Sequence, residues 1–219
     1  MRADIPKQYL PLNGEPVILR TLERLCGYPR LSGVLVGLSP GDAHWESCKD
    51  RWSGMHKLLG SYEGGATRAN TVLNGLHMLY QHATANDWVM VHDAVRPCVR
   101  HADLDLLVET VLGNDDGGLL AMPVADTVKR ADDFHRVVET VPRERLWRAL
   151  TPQMFRMGVL TAALELALIE DTEITDEATA VEHGGGHPRL VTGHADNIKI
   201  THPGDLALAE LYLKRQEAE

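Results

Sequence analysis

Charged side chains that could take part in binding or catalysis stand just after or within apolar runs of this sequence. Asp93 and Arg96 follow the run WVMV in DWVMVHDAVRP, and Lys199 lies among apolar neighbours in ADNIKITHPGDL. An aspartate and an arginine at the end of a buried strand are placed for chemistry, although any buried strand must end in polar residues. A lysine among apolar residues is costly to bury without an anion, unless it lies on an edge strand and its ammonium group reaches solvent.

A glycine turn supplies a second candidate anion site. In EGGATRANTV, Gly64 and Gly65 precede Arg68 and Thr71 at the opening turn of a predicted helix. Free backbone N–H groups and the positive end of a helix suit a phosphate or the edge of a base. The same pattern also describes a plain strand-to-helix turn with a surface arginine. Lys7, taken alone, is a solvated loop lysine, but together these groups predict a site for a phosphorylated ligand such as a nucleotide.

Apolar runs and helical spacings alternate along the chain as far as residue 122. The runs SGVLVGLSP and DWVMV are apolar without alternation, which is typical of strands buried on both faces of a parallel sheet. Helices are predicted over PVILRTLERL, with proline at the first helical position, after the glycine turn and over HADLDLLVETVL. The pattern predicts an α/β fold with an open, doubly wound and mostly parallel sheet, in which ligands bind outside the carboxyl ends of the strands.

The alternation breaks at residues 123–152, which we predict to be a β-arm that leaves the sheet. This segment has short β-like pieces, two polar turns and six Lys or Arg residues. Helices are then predicted over MGVLTAALELALIE and TDEATAVEHGG, the second capped by Thr175 or Asp176. PRLVTG and NIKIT are predicted strands, and PGDLALAELYLKRQ is a closing helix that begins at its proline. The 219 residues are expected to form a single domain that carries the arm.

Composition narrows the classes of partner. A formal net charge of -9 argues against duplex nucleic acid or an anionic membrane as partner, because both require a basic face. No run has the apolar length of a membrane span or of a signal-peptide core. Three cysteines without CxxC spacing predict reduced thiols in a cytoplasmic protein. The eleven histidines are scattered, with no pair four residues apart on a convincing helix, so they indicate no metal centre.

Seven motifs keep a recognisable order along the chain. They are PKQYLPLNGEPVI, GG…R…TV, VMVHDAVRP, PVADTVKR, LTPQMF, ITDEA and ADNIKITHPGDLALAE. In this order the sequence resembles the 2-C-methyl-D-erythritol 4-phosphate cytidylyltransferase family of the non-mevalonate isoprenoid pathway, over essentially the whole chain. The resemblance implies that CTP and methylerythritol phosphate react to give CDP-methylerythritol and pyrophosphate, with Mg²⁺. It also implies a homodimer whose β-arms interlock.

The resemblance assigns roles to individual residues. It implies that Lys7 stabilises charge on the α-phosphate, that Lys199 lies between the substrate phosphate and the CTP phosphate, and that Arg143 reaches into the partner's site and holds the methylerythritol phosphate group. The other implied residues line the two substrates: Gly64, Gly65, Ala66, Arg68 and Thr71 near the cytosine, Asp93, Arg96 and Thr127 around the ribose and the sugar phosphate, and Thr151 and Thr175 near the substrate phosphate. Transfer at phosphorus requires charge stabilisation more than covalent chemistry, which fits the absence of a Ser-His-Asp or Cys-His arrangement.

The sequence departs from the family pattern at three places. Pro142 stands where the family usually has an aspartate before the arm arginine, and Ala66 replaces an often polar residue near the base. Family members begin with a hydrophobic strand and a glycine-rich loop around the CTP phosphates, and Met1 aligns with the end of that loop. We therefore expect a shortened chain whose CTP affinity and turnover fall far below those of a chain that carries the loop. The alternatives are a cytidylyltransferase for another sugar phosphate, such as ribitol 5-phosphate, and a catalytically impaired dimerising scaffold.

Overall fold

The computed structural model describes residues 5–218. The strands are β1 (Pro11–Leu12), β2 (Glu15–Pro16), β3 (Val34–Leu38), β4 (Leu58–Glu63), β5 (Trp88–Val91), β6 (Gly118–Pro123), β7 (Val128–Ala131), β8 (Val137–Val141), β9 (Trp147–Arg156) and β10 (Arg189–Thr192). The helices are α1 (Val17–Cys26), α2 (Ala43–Ser47), α3 (Lys49–Trp52), α4 (Arg68–Leu79), α5 (His101–Val111), α6 (Met157–Ile169), α7 (Glu177–His183) and α8 (Pro203–Ala218). A 3₁₀ turn, Lys7–Tyr9, precedes β1. The predicted α/β fold is confirmed.

The sheets are mixed. The largest contains four strands in the order β10-β6-β9-β5. In it β10 runs parallel to β6, whereas β9 runs antiparallel to both of its neighbours. β3 and β4 form a separate parallel pair, and the small β1–β2 and β7–β8 ladders are antiparallel. The antiparallel strand at the centre of the main sheet is therefore a feature that the apolar pattern did not predict.

This strand, β9, begins inside the segment that the sequence assigns to the arm. Residues 147–152 lie in the main sheet, while β7 and β8 form the hairpin that leaves it. Pro152 lies beside a shift in the β6–β9 register, between Leu119 and Ala121 on the partner strand. Proline has no N–H to donate to a ladder and is tolerated at such irregularities. A proline in the run LTPQMF therefore does not end the strand.

Two local predictions near the site need correction. The closing helix α8 begins at Pro203 as predicted, but α1 begins at Val17, so that Pro16 is the extended cap residue and not the first helical residue. The predicted strand NIKIT pairs with no strand among the described residues. Instead, the Ile200 N–H donates to the carbonyl of Val95 at 2.9 Å, in the turn that follows β5. Lys199 thus lies in an extended loop.

The core lies on both faces of the four-stranded sheet. Leu119 and Leu120 are neighbours on β6, so their side chains point to opposite faces. Leu120 packs in a buried cluster with Leu104 of α5, and Leu119 in another with Phe155 of β9 and Leu160 of α6. Helix α5 therefore covers one face, and helices α4, α6 and α7 cover the other. This packing fixes the strand ends from which the candidate site is built.

Candidate active site

Asp93, two residues beyond the end of β5, is the centre of a cluster of ionic contacts. Its Oδ2 lies 3.0 Å from Nζ of Lys199 and 3.2 Å from Nε of Arg96, and its Oδ1 lies 3.8 Å from Nη2 of Arg68. The three cations come from the loop before α8, the turn after β5 and the first residue of α4. Three distant segments thus meet at the carboxyl end of a strand, where an α/β sheet binds its ligands.

The charge balance of this cluster keeps Asp93 ionised, and Lys199 is the most exposed of its three cations. Burial acts to raise the pKa of Asp93, but the hydrogen bond and charge of Lys199 and the charges of both arginines outweigh it and hold that pKa below its usual value. The Lys199 side chain is 45% exposed, against 10% for Arg96 and 14% for Asp93. Lys199 can therefore turn to an arriving anion without unfolding its surroundings.

Arg96 is the fixed cation of the cluster. Its guanidinium donates to the carboxylate of Asp93 and also to the carbonyl oxygen of Asn197, the latter at 2.8 Å. Asn197, also buried, donates from its side-chain amide to the carbonyl oxygen of Thr151 at 2.8 Å. These bonds tie the turn after β5, the loop before α8 and strand β9 together, so that Arg96 presents its charge from a rigid position.

Arg68 has a second acidic partner that the sequence did not predict. Its guanidinium donates to both carboxylate oxygens of Glu177, one of them at 3.0 Å, and the Glu177 side chain is only 1% exposed. Burial raises the pKa of Glu177, against the opposing effect of the Arg68 bond. A bidentate pair of this kind fixes the plane of the guanidinium. Glu177 therefore sets the orientation in which Arg68 faces Asp93.

The start of α7 is held by a second buried contact. Gln153 of β9 donates to Oδ2 of Asp176 and accepts the N–H of Ala178, both at 2.8 Å. Asp176, and not Thr175, caps the helix by accepting the N–H of Thr179 at 2.9 Å. Gln153 and Glu177 stand inside the motifs LTPQMF and ITDEA, which was the signal that could have identified them. Their partners, however, lie far away in sequence.

His92 and Thr151 form the inner wall of the cluster. The Thr151 hydroxyl oxygen accepts the backbone N–H of Asp93 at 3.1 Å and lies 2.9 Å from Nδ1 of His92. Nε2 of His92 lies 3.0 Å from the carbonyl oxygen of Arg96. Although His92 keeps some exposed surface, both of its ring nitrogens bond within the protein. Burial lowers its pKa to about 4.

The depressed pKa of His92 predicts acid sensitivity of the fold. A histidine in the unfolded chain titrates near 6.5, so the unfolded state binds a proton that the folded state refuses between about pH 6.5 and pH 4. Stability is full above this window and falls as the pH is lowered through it, by about 2 kcal/mol between about pH 6.5 and pH 4.5. The pKa values of Asp93 and Asp176 are held below the ordinary value of an aspartate, so both carboxylates stay ionised in the folded protein across this window.

Urea denaturation at a series of pH values measures this dependence. The matched variant is His92→Gln, which keeps a polar side chain but cannot titrate. We expect its free energy of unfolding to vary less than that of the wild type over the same pH range, by the amount assigned to His92. An identical pH dependence in the two proteins would contradict the assignment.

The glycine turn is built for close packing between the loop and α4. The N–H of Gly64 donates to the carbonyl of Leu38 at 2.7 Å, and the N–H of Gly65 donates to the Thr71 hydroxyl at 3.0 Å. A side chain at Gly65 would collide with Asn70. The N–H groups of both glycines are therefore engaged inside the protein. Ala66, the next residue, is exposed.

Four further residues implied by the resemblance also lie outside the Asp93 contacts. Lys7 is half-buried, and its side chain makes no hydrogen bond or ion pair with residues 5–218. Arg143 is exposed after β8 and donates to the carbonyl of Ala125. Thr127 is exposed before β7, and the Thr175 hydroxyl lies 3.0 Å from that of Thr179. Their roles stay predictions. The alignment of Met1 falls outside the described residues.

Comparison with known proteins identifies the relatives of this chain. Residues 1–215 match the sequence model of the family described as IspD, 2-C-methyl-D-erythritol 4-phosphate cytidylyltransferase. A 2-C-methyl-D-erythritol 4-phosphate cytidylyltransferase of Azoarcus sp. (strain BH72) is 50% identical over 99% of this chain and 89% of its own length. The enzyme of the same name from Vibrio vulnificus (strain YJ016) is 46% identical over 99% of this chain and 90% of its own length.

Solved structures agree with the sequence comparison. A crystal structure of 4-diphosphocytidyl-2C-methyl-D-erythritol synthase superposes with a TM-score of 0.85 at 36% identity, covering 95% of each chain. The 2-C-methyl-D-erythritol 4-phosphate cytidylyltransferase of Thermus thermophilus superposes with a TM-score of 0.79 at 31% identity, covering 95% of this chain and 94% of its own.

Proposed function

Since the chain belongs to the 2-C-methyl-D-erythritol 4-phosphate cytidylyltransferase family, we propose that the cations gathered at Asp93 hold the phosphate groups of its substrates. The observation that carries this proposal is the pairing of Lys199 and Arg96 on a single carboxylate at the carboxyl end of β5. In a protein of net charge -9, such a local concentration of positive charge suits an anionic ligand.

The enzyme is a cytidylyltransferase of isoprenoid precursor biosynthesis, with CTP and methylerythritol phosphate as substrates. A phosphate oxygen of methylerythritol phosphate attacks the α-phosphorus of CTP, and the bond to pyrophosphate breaks as the new P–O bond forms. Because the attacking oxygen is already anionic, no side chain has to remove a proton. The protein must instead bring two anions together and stabilise the charge that develops between them.

The cationic residues have different proposed roles, because some are exposed and others are held in place by hydrogen bonds. Lys199, the most exposed of the three cations, moves onto the incoming phosphate, while Arg96 stays fixed by Asn197 and Asp93. Lys7, half-buried and with no side-chain partner among residues 5–218, is proposed to stabilise charge at the α-phosphate. The proposed nucleotide contacts are Gly64, Gly65, Ala66, Arg68, Thr71 and Asp93. The proposed contacts to methylerythritol phosphate are Asp93, Arg96, Thr127, Arg143 and Thr175.

Mg²⁺ is part of the proposal. This ion prefers to keep several waters and to bind through substrate phosphates together with one or two carboxylates. Residues 5–218 contain no group of three or more His, Cys, Asp or Glu side chains placed to hold a metal ion. An ion that arrives with CTP needs only the triphosphate oxygens, waters and one or two carboxylates as ligands. When bound, it would neutralise charge on the triphosphate. We expect a chelator such as EDTA to stop product formation and added Mg²⁺ to restore it.

A homodimer formed through the hairpin β7–β8 is also proposed. The hairpin exposes a run of large apolar side chains, in which Phe134 is 78%, Val137 64% and Val138 62% exposed. Apolar groups exposed together favour association, and Arg143 lies two residues after the end of β8. Sedimentation velocity should give a dimer for the wild type and a monomer for Val137→Asp. A monomeric wild type would contradict this.

A cytoplasmic location is proposed from the thiols. Cys26, Cys48 and Cys98 are all unpaired, and two of them are buried, as is usual where thiols stay reduced. Within residues 5–218, no helix combines the length and the apolar character needed to cross a membrane. Fractionation of the producing cells tests the location, with the protein expected in the cytosolic fraction and not in the membrane fraction.

Calorimetry with two matched ligands tests the phosphate site. The protein is first saturated with Mg²⁺ and a CTP analogue that cannot be cleaved at the α-phosphorus. Methylerythritol 4-phosphate and the unphosphorylated tetrol are then titrated into it in parallel. We expect binding to require the phosphate and to weaken by about tenfold to hundredfold in Lys199→Met, since a charge-assisted hydrogen bond contributes about 1.5–3 kcal/mol. Equal affinity for the two ligands, or an unchanged affinity in Lys199→Met, would remove Lys199 from the site.

A further inference from the structure

His92 closes a ring of hydrogen bonds directly behind Asp93. The Asp93 N–H donates to the Thr151 hydroxyl oxygen at 3.1 Å, which lies 2.9 Å from Nδ1 of His92. Nε2 of His92 lies 3.0 Å from the carbonyl oxygen of Arg96, and the Arg96 guanidinium returns to the Asp93 carboxylate at 3.2 Å. The backbone N–H of Arg96 donates to the carbonyl of Asp93 at 3.1 Å and completes the ring.

The carbonyl of Arg96 fixes the direction of both hydrogen bonds that the His92 ring makes. A carbonyl oxygen can only accept, so Nε2 of His92 must carry the ring proton. In a neutral imidazole the other nitrogen, Nδ1, is then an acceptor. The one group placed to donate to it among the described residues is the hydroxyl of Thr151, whose oxygen is already accepting the N–H of Asp93.

We propose that His92 is a positioning residue, which engages the hydroxyl proton of Thr151 and thereby fixes the backbone and carboxylate of Asp93 between Arg96 and Lys199. The inference rests on the proposed phosphate site at Asp93. It gives Thr151 a different task from the one implied by the resemblance. A hydroxyl has one proton, and here that proton is directed to His92, so Thr151 acts through Asp93 and not by donating to a substrate phosphate.

A double-mutant cycle separates these two roles for Thr151. His92→Gln removes the bond to the Thr151 hydroxyl, and Thr151→Val removes that bond together with the one from the Asp93 N–H. Each variant is expected to lower kcat/KM for methylerythritol phosphate by about tenfold, the equivalent of one net hydrogen bond. Because both substitutions disrupt the same hydrogen bond between Thr151 and His92, kcat/KM of the double variant should also fall by about tenfold. A loss of about a hundredfold would show that Thr151 contributes independently, and would overturn the proposal.

Two amide substitutions at His92 test which ring nitrogen matters. The amide of Asn overlays Nδ1 of histidine and can accept from Thr151, whereas the amide of Gln overlays Nε2 and reaches only the Arg96 carbonyl. We expect His92→Asn to be at least about threefold more active than His92→Gln, although the two are alike in polarity and charge. The reverse order, or equal activity, would contradict the role of Nδ1.

The wild-type protein gives a measurement that does not depend on a variant that folds. With ¹⁵N-labelled histidine, NMR at neutral pH should show His92 as the neutral tautomer with its proton on Nε2. A proton on Nδ1, or a charged ring, would overturn the proposal. A wrong tautomer of His92 would overturn the positioning role alone. If instead Asp93 does not lie at the phosphate site, Lys199→Met and His92→Gln should both remain fully active.

Discussion

Lys199→Met is expected to lower kcat/KM for methylerythritol phosphate by about 10² to 10³-fold, the range seen when one group that stabilises transition-state charge is removed. Methionine keeps the length and apolar stem of lysine and removes only the ammonium group. The Lys199 side chain is 45% exposed and lies 3.0 Å from Asp93. Since Arg96 and Arg68 still face that aspartate, no buried charge is left alone and the fold should persist.

The control for this prediction is Lys214→Met, which changes an exposed lysine of α8. It makes the same change in net charge and should leave kcat/KM unchanged. Pyrophosphate release gives the rate, and thermal denaturation confirms that both variants are folded. Activity of Lys199→Met within about threefold of Lys214→Met would contradict the proposed role of Lys199.

Arg68→Met is expected to lower the free energy of unfolding by about 3 kcal/mol at neutral pH. The substitution leaves Glu177, whose side chain is 1% exposed, without its cation. Removing one partner of a buried ion pair costs about 3–5 kcal/mol because the remaining charge is uncompensated, and the lower end applies because Arg68 is itself 37% exposed. The loss should shrink as the pH is lowered, since burial raises the pKa of Glu177 and the isolated carboxylate can take up a proton.

The double variant Arg68→Met/Glu177→Gln provides the matched test. It removes both charges and should recover most of the lost stability, because a neutral amide is far less costly to bury than a carboxylate. Arg189→Met, at an exposed arginine of β10, controls for the loss of one positive charge. Urea denaturation measures the wild type and all three variants. If the double variant is less stable than Arg68→Met, the energy of this site does not come from the buried charge of Glu177.

Strand β9 shows where a pattern of residues stops being informative. Most strands and helices of the first half could be predicted, because apolar runs and helical spacings there reflect burial directly. The run LWRALTPQMFR mixes arginines with a proline and looks like part of an arm. Its role depends on two neighbours that lie elsewhere in the chain, since β5 and β6 pair with it on either side and Pro152 falls beside a register shift. Tertiary pairing of this kind leaves no local signal.

The candidate site divides in the same way. Asp93 and Arg96 could be identified because they stand at the end of a buried strand, and Lys199 because it stands among apolar residues. Their contact with one another could not be predicted, and nor could the Arg68–Glu177 pair, whose members are 109 positions apart. His92 was present in the motif HDAVRP, but its function depends on which atoms its two nitrogens face, and only the three-dimensional arrangement shows this.

The reaction products test the proposed function most directly. The chain is incubated with CTP, Mg²⁺ and either methylerythritol 4-phosphate or ribitol 5-phosphate, and the products are measured by mass spectrometry together with pyrophosphate. We expect CDP-methylerythritol and pyrophosphate in equal amounts, and at least about tenfold less CDP-ribitol under the same conditions. Equal or faster conversion of ribitol 5-phosphate, or release of CMP without a coupled product, would contradict it.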